Sequence, residues 1–155
     1  MYNEGNTSKT VTALDITAAG GVIPQEGTWT PAFSGGITAG DTTYTTQVGS
    51  YEKIGRQVTI RGRITVNLLG TLDGNVSMTG LPFTSSADAN SFGAVHFCYG
   101  GNLVITTGSN PSGYVNVGTA TVTLRIWNVS TGTSKYDDLN LTDGADFMFS
   151  GTYYV

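Results

Sequence analysis

The chain has 155 residues, a formal net charge of −4 and only 12% charged residues, with 22 glycines and a hydrophobic share of 39%. This length suits one domain with its own core, and the hydrophobic share excludes a disordered chain. The seven Lys and Arg residues are scattered, which excludes the clustered cations that tight nucleic-acid binding needs. No stretch approaches the roughly 20 apolar residues that cross a bilayer, so we expect no membrane insertion.

The first 26 residues differ in character from the rest of the chain. They contain one short apolar segment, residues 11–16, followed by Ala18-Ala19-Gly20-Gly21. They lack the basic-then-apolar order of a signal peptide. We predict a connector over residues 1–26 and one domain over residues 27–155.

Alternating apolar and polar residues predict strands throughout the domain. In the longest run, Val58, Ile60, Ile64, Val66 and Leu68 share one face, and Gly62 between them indicates a bulge or a close backbone approach. The other predicted strands span residues 28–33, 42–51, 75–79, 92–99, 103–107, 114–117, 121–127 and 147–155. Asp-Gly and Gly-Asn turns separate several of them. About nine or ten such strands, with no helical periodicity, predict an all-β antiparallel sandwich or jelly roll.

Three motifs occur in order along the first half of the domain. They are Gly27-Thr28-Trp29-Thr30-Pro31, Gly49-Ser50-Tyr51-Glu52-Lys53-Ile54-Gly55 and Gly80-Leu81-Pro82-Phe83, and the closing Phe149-Ser150-Gly151-Thr152-Tyr153 accompanies them. Together they resemble the C-terminal domain of tailed-phage tail fibres and tailspikes. The resemblance implies a β-sandwich that forms a homotrimer at the distal end of the fibre, attached to upstream parts of that fibre or tailspike. It places the protein on the virion, outside the cell, with a role in recognising host surface polysaccharide or in assembling the trimer.

Within these motifs, packing explains the residues better than ligand binding does. Trp29 lies between threonines and before a proline, so we expect a packing anchor. Arg61 and Arg63 share the polar face of their strand and are expected to form surface or intersubunit pairs. The resemblance therefore predicts the fold but assigns no ligand residue.

Catalytic chemistry has little support in the sequence. The one dense acidic group, Asp137, Asp138, Asp143 and Asp146, has the wrong spacing for a calcium loop and lacks its bidentate glutamate, so a solvated acidic loop is expected. A pair of glycosidase carboxylates within this group is a weaker alternative. We expect no metal site, no cofactor and no enzymatic activity.

The remaining nucleophile and base candidates lie in one apolar run, residues 95–99. His96 is the single histidine, and no Gly-x-Ser-x-Gly elbow accompanies it, so a core or interface histidine is expected. Cys98 is the single cysteine and is expected to be a buried, inert thiol.

The sequence contains the residue types that bind carbohydrates. Sugars stack their apolar faces on aromatic rings, and amide and carboxylate groups form hydrogen bonds with sugar hydroxyls. Strand parity places Trp127 opposite Val122, Leu124 and Ile126, so its side chain faces outward. The tyrosines lie beside turns, where binding residues tend to collect. The predicted carbohydrate-binding residues are Tyr99, Asn102, Tyr114, Trp127, Asn128, Tyr136, Asp137 and Asp138.

Two other functions remain open from the sequence alone. Trp127 fits a subunit interface as well as a ligand site, so the domain could be a trimerisation or folding module of a tail fibre with no ligand of its own. A small glycan hydrolase or esterase is the less favoured alternative.

Overall fold

A computed structural model describes residues 21–155, which form ten strands and one short 3₁₀ helix. The strands are β1 (Gln25–Trp29), β2 (Ala32–Gly35), β3 (Thr43–Ile54), β4 (Gln57–Leu68), β5 (Val76–Thr79), β6 (Gly93–Leu103), β7 (Asn110–Val115), β8 (Val122–Val129), β9 (Gly132–Lys135) and β10 (Leu141–Tyr154), and the 3₁₀ helix is Asp138–Asn140. No helix in this range is long and apolar enough to span a membrane. Most of the connector predicted over residues 1–26 lies outside the described residues.

The strands form one antiparallel sheet, which confirms the predicted all-β class and strand number. Its order is β1-β3-β4-β10-β6-β7-β8-β5-β2, and β9 pairs with β8 beside this path. The predicted sandwich requires two stacked sheets, whereas the described residues form one. A single sheet is instead curled around one core as a half-barrel.

The curl follows from the link between β1 and β2. These strands lie at opposite ends of the sheet, yet only Thr30 and Pro31 separate them in the chain. Three Cα–Cα steps reach at most about 11 Å, whereas nine strands laid flat would span roughly 38 Å. The two edges must therefore approach each other. Pro31 has no N–H to continue a ladder, which explains why the strand predicted over residues 28–33 is split in two.

The inner face of the half-barrel holds the core. Val58, Ile60, Ile64 and Val66 are at most 1% exposed, as the alternation predicts, whereas Leu68 is 53% exposed at the end of β4. The other core residues include Trp29, Phe33, Met78, Val95, Val115, Val122, Leu124, Ile126, Phe147, Phe149 and Tyr153.

Trp29 is the packing anchor that the sequence predicts. It is 7% exposed, packs edge-on against Phe149 with ring centroids 5.7 Å apart, and donates from Nε1 to Ser50 O at 3.3 Å. Two paired glycines, Gly49 in β3 and Gly62 in β4, make room for these rings. A Cβ on Gly49 would overlap the indole of Trp29, and one on Gly62 would lie 2.7 Å from Phe149 Cζ. The close approach predicted at Gly62 is confirmed.

Long pairing with β10 extends the sheet beyond the sequence prediction. Gly100 and Gly101, expected in a turn, pair with Phe147 and Asp146, so β6 continues to Leu103 and no separate strand forms over residues 103–107. For the same reason β10 begins at Leu141 and not near Phe147.

Candidate functional site

Strands β6, β7 and β8 present a group of polar and aromatic side chains on the outer face, which points away from the core. The register pairs His96 with Ser112, Ser112 with Arg125, and Asn110 with Trp127. Neighbouring strands lie about 4.8 Å apart, and outward positions on one strand recur every 7 Å or so. Asn110, Ser112, Arg125 and Trp127 therefore mark the corners of a small rectangle on the surface.

A groove runs along this surface. A cavity of about 380 Å³ is lined by residues of β6–β8, and a second of about 210 Å³ adjoins it through Phe97, Asn110 and Pro111. We call the two together the outer groove. Its outward side chains are Ala94, His96, Ser112, Tyr114, Arg125, Trp127 and Thr133 in the first part, and Cys98 and Tyr99 in the second. Leu103 and Ile105, which pack against the core, also line the second part.

Three of the aromatic residues predicted from the sequence line this groove. Trp127 is 56% exposed, as its strand parity predicts, and Tyr99 is 49% exposed at the other end. Tyr114 is half-buried and packs edge-on against Phe92, with ring centroids 5.9 Å apart. Three aromatic side chains that are far apart in the chain therefore line the same groove.

Arg125 is held in a fixed position within the groove. Its Nε donates to Thr133 Oγ1 at 3.2 Å and its Nη2 donates to Thr133 O at 2.8 Å, across the β8–β9 hairpin. A guanidinium has five N–H donors, so three remain for other partners. Among the described residues that line the groove, none is acidic.

A bulge in β6 corrects the prediction for Cys98. Met148 pairs with Tyr99 but Phe149 pairs with Phe97, which leaves Cys98 as the extra residue. The bulge turns its thiol to the surface, where Sγ donates to Met148 O at 3.4 Å. Cys98 is therefore exposed and not buried, because alternation in the sequence cannot reveal an inserted residue.

His96 is not a core residue. It is exposed on the outer face between Ser150 of β10 and Ser112 of β7. Together with Asn110 and Ser112 it forms part of the groove that sequence analysis missed. Alternation in the sequence predicts which side chains of a strand share a face, but it does not predict that β6 pairs with β7.

Tyr136 is the clearest correction among the predicted ligand residues. It is 1% exposed, packs edge-on against Phe147, and donates its hydroxyl to Asn140 O at 3.2 Å. Burial raises the pKa of its phenol. The ring points inward because the backbone of Tyr136 bonds to Leu124 and Val76 of the strands that enclose the core. No sugar can stack on this ring.

The remaining predicted residues serve local structure and do not line the groove. Asp137 Oδ1 accepts from Leu139 N at 3.2 Å as the cap of the 3₁₀ helix, and Asp138 Oδ1 accepts from Gly74 N at 2.9 Å. Asn128 Oδ1 accepts a hydrogen bond from Ser134 Oγ at 2.7 Å, and Asn102 Nδ2 donates one to Gly144 O at 3.0 Å.

The acidic group at residues 137–146 is dispersed among separate partners. Asp143 Oδ1 accepts from Leu69 N at 2.8 Å, while Asp146 accepts from Arg63 Nε at 3.0 Å and Arg63 Nη2 at 2.6 Å. Within residues 21–155, no group of three or more His, Cys, Asp or Glu side chains is placed to hold a metal ion. The surface pairing expected of Arg63 is thus with Asp146 of the same chain.

Comparison with solved structures shows that the fold is similar to part of a phage tailspike protein. No family model and no curated protein matches the chain. Among solved structures, the chain is similar to the crystal structure of the Dettilon tailspike protein (gp208), with a TM-score of 0.70 and 15% sequence identity over 84% of this chain. The match spans only 24% of that longer protein. The resemblance to tailspikes predicted from the sequence is confirmed at the level of the fold.

Proposed function

We propose that this chain is the receptor-binding tip domain of a phage tail fibre or tailspike and that it binds host surface polysaccharide in the outer groove. One observation carries the proposal: Trp127, Tyr114 and Tyr99 come together along a single groove beside the polar side chains of Asn110 and Ser112. The tailspike-like fold supports a place on the tail of a virion, outside the host cell.

Each part of the groove has a role in this proposal. The exposed indole of Trp127 stacks on the apolar face of a sugar ring, as aromatic platforms do. Asn110 and Ser112, on the neighbouring strand, exchange hydrogen bonds with the hydroxyl groups of that ring. From Asn110 to Tyr114, the outward positions of β7 span about 14 Å, which is long enough for a short oligosaccharide.

Binding without catalysis fits the groove best. Hydrolysis of a glycosidic bond generally uses two carboxyl groups on opposite sides of the bond. The described residues that line the groove supply none. A homotrimer, which we also propose, would strengthen a weak single site because linked sites raise the effective concentration of each further contact.

A structural role is the second candidate, and one observation favours it. Val48, Arg63, Met148 and Tyr99 form one cross-strand row on the outer face. Val48 is 58% exposed and Met148 is 36% exposed, so the row presents apolar surface that a neighbouring subunit could cover. A trimerisation module without a ligand would use this row in place of the groove.

Replacement of Trp127 tests the proposed function. We expect Trp127→Ala to weaken binding to host polysaccharide by about tenfold or more, because a large stacking surface is lost. Isothermal titration calorimetry on a glycan first selected by array measures the change. Tyr154→Ala is the matched control, since Tyr154 is 50% exposed and does not line the groove.

The alternatives give different results in the same experiments. A stable protein that binds no host glycan would overturn the proposal, and a change of oligomeric mass in Trp127→Ala would favour the structural role. Release of reducing ends or acyl groups from the polysaccharide would contradict binding without catalysis.

A further inference from the structure

The charge of the outer groove differs from that of the whole chain. The chain carries a net charge of −4, yet the groove holds the cationic side chain of Arg125 and, among the residues described, no carboxylate. A carboxylate on a sugar gains a charge-assisted hydrogen bond from a guanidinium and meets no carboxylate that would repel it, whereas a neutral sugar gains no such bond. The local charge therefore points to a class of ligand.

The free donors of Arg125 have a specific geometry. Thr133 takes Nε and one N–H of Nη2. One N–H of Nη1 and the second N–H of Nη2 lie at the end of the guanidinium, and the other N–H of Nη1 points back toward Cδ. This end presents two parallel donors, which match the two oxygens of a carboxylate. Because Thr133 already fixes the side chain, little rotamer freedom is lost on binding.

Trp127 lies at the correct spacing for the same sugar unit. Arg125 and Trp127 occupy alternate positions on one strand and face the same way, so their Cα atoms are about 7 Å apart. A pyranose ring on the indole can therefore direct a carboxylate substituent toward the guanidinium. Ser112, opposite Arg125, remains available to a hydroxyl group.

We propose that the outer groove recognises acidic polysaccharide and that Arg125 binds the carboxylate of a uronic-acid-type sugar whose ring stacks on Trp127. This inference rests on the proposed function, because it specifies the ligand class of the same groove. In this inference, Arg125 is the residue that makes the groove bind acidic glycans more tightly than neutral ones.

The experiment uses matched pairs of ligands. An array presents uronic-acid-containing oligosaccharides beside the same oligosaccharides after reduction of each carboxyl group to an alcohol. We expect the protein to bind the acidic member of a pair about 10- to 100-fold more tightly, as a paired charge-assisted contact allows. Arg125→Gln should remove this preference, because the affinity for the acidic member of each pair falls more than the affinity for the reduced member.

Two further variants make the test specific. Arg125→Lys keeps the charge without the paired donors, so an intermediate preference is expected. Arg61→Gln is the control, since Arg61 is an exposed arginine on the outer face that donates to Ser50 and does not line the groove. It should keep the full preference. Thermal unfolding of each variant verifies the fold, and the preference of the unaltered protein stands as a measurement even if a variant does not fold.

The outcomes separate this inference from the proposed function. Equal binding of acidic and reduced oligosaccharides overturns the acidic class and leaves the binding function standing. Failure to bind any member of the array overturns both. An acidic preference that persists in both Arg125→Gln and Arg125→Lys overturns the assignment to Arg125.

Discussion

Asp146 is a buried carboxylate that forms an ion pair with Arg63 of the neighbouring strand β4. It accepts two hydrogen bonds from Arg63 and one from Thr65 Oγ1 at 3.0 Å. The Arg63 guanidinium lowers the pKa of Asp146 below its usual value, and Thr65 adds to this, while burial acts in the opposite direction. A lowered pKa in the folded state means that the pair stabilises the fold above the pKa of the unfolded chain. That stability is lost as the pH falls through the folded pKa.

We therefore expect Asp146→Asn to lower the melting temperature at pH 7 and to lose less stability on acidification than the unaltered protein. The difference between the two proteins should shrink below about pH 4, where the unfolded carboxyl is protonated. Thermal unfolding from pH 7 to pH 2 measures it. Glu52→Gln, at an exposed position of β3, is the control and should unfold like the parent at every pH. Parallel acid profiles for Asp146→Asn and the parent would contradict the role of the ion pair.

At the scale of single residues, the sequence predicts the strand face on which a side chain lies better than it predicts the residues that surround it. The parity of β8 correctly places Trp127 outside and Leu124 inside. Tyr136 and Cys98 fail because their environments depend on contacts from distant strands: Tyr136 is enclosed by Phe147, and Cys98 is displaced by the pairing of β6 with β10. Neither partner can be inferred from neighbours in the chain.

Gly49 and Gly62 show how one pair of strands controls packing at the scale of the elements. They lie opposite each other in β3 and β4, below the rings of Trp29 and Phe149. We expect Gly49→Ala to destabilise the fold by about 1–3 kcal/mol, because the added methyl group overlaps the buried indole and forces it to shift. Chemical denaturation measures the change in the free energy of unfolding.

Thr45→Ala, at an exposed position of the same strand, is the control for Gly49→Ala and should stay within about 0.5 kcal/mol of the parent. Equal stability of the two variants would contradict the close packing of Trp29 on β3.

The existence of most strands could be predicted, but their register could not. Alternation locates β4 and β8 to within a residue or two because both are half-buried along their length. The groove depends instead on which strands are neighbours, since β6 contributes His96, β7 contributes Ser112 and β8 contributes Arg125. Strand order is set by the packing of the whole core, so the aromatic residues could be suggested from sequence while their polar neighbours could not.

The exposed apolar row on the outer face leads to a prediction about the whole molecule. We expect light scattering to give three times the chain mass of 16.2 kDa. If subunits meet at this row, Val48→Asp should reduce the mass toward that of one chain, because burial removes the hydration of the new carboxylate while the neighbouring Arg63 is already paired with Asp146. Val104→Asp is a matched control, since Val104 is 56% exposed, Val48 is 58% exposed and Val104 is outside the row.

A monomer in the unaltered protein would contradict the homotrimer. Assembly that survives Val48→Asp would place the subunit contact elsewhere. Neither result would remove the groove, which residues of one chain form by themselves.

The overall shape was only partly accessible from the sequence. Strand content and the three ordered motifs predicted a tailspike-like all-β fold. The half-barrel was missed because a split at Pro31 sends β1 and β2 to opposite edges of one sheet. The predicted sandwich was based on the number of strands and the turns between them, which do not determine whether the strands form one sheet or two.

The position of β10 has a consequence for biosynthesis. This strand is the last of the ten to leave the ribosome, yet it lies in the middle of the sheet between β4 and β6. Until β10 has emerged from the exit tunnel, β4 and β6 lack the strand that lies between them in the folded sheet, and unpaired edges of this kind can pair with other chains. The two halves of the sheet can join only after β10 has emerged, so the core of this domain closes after all ten strands have been made.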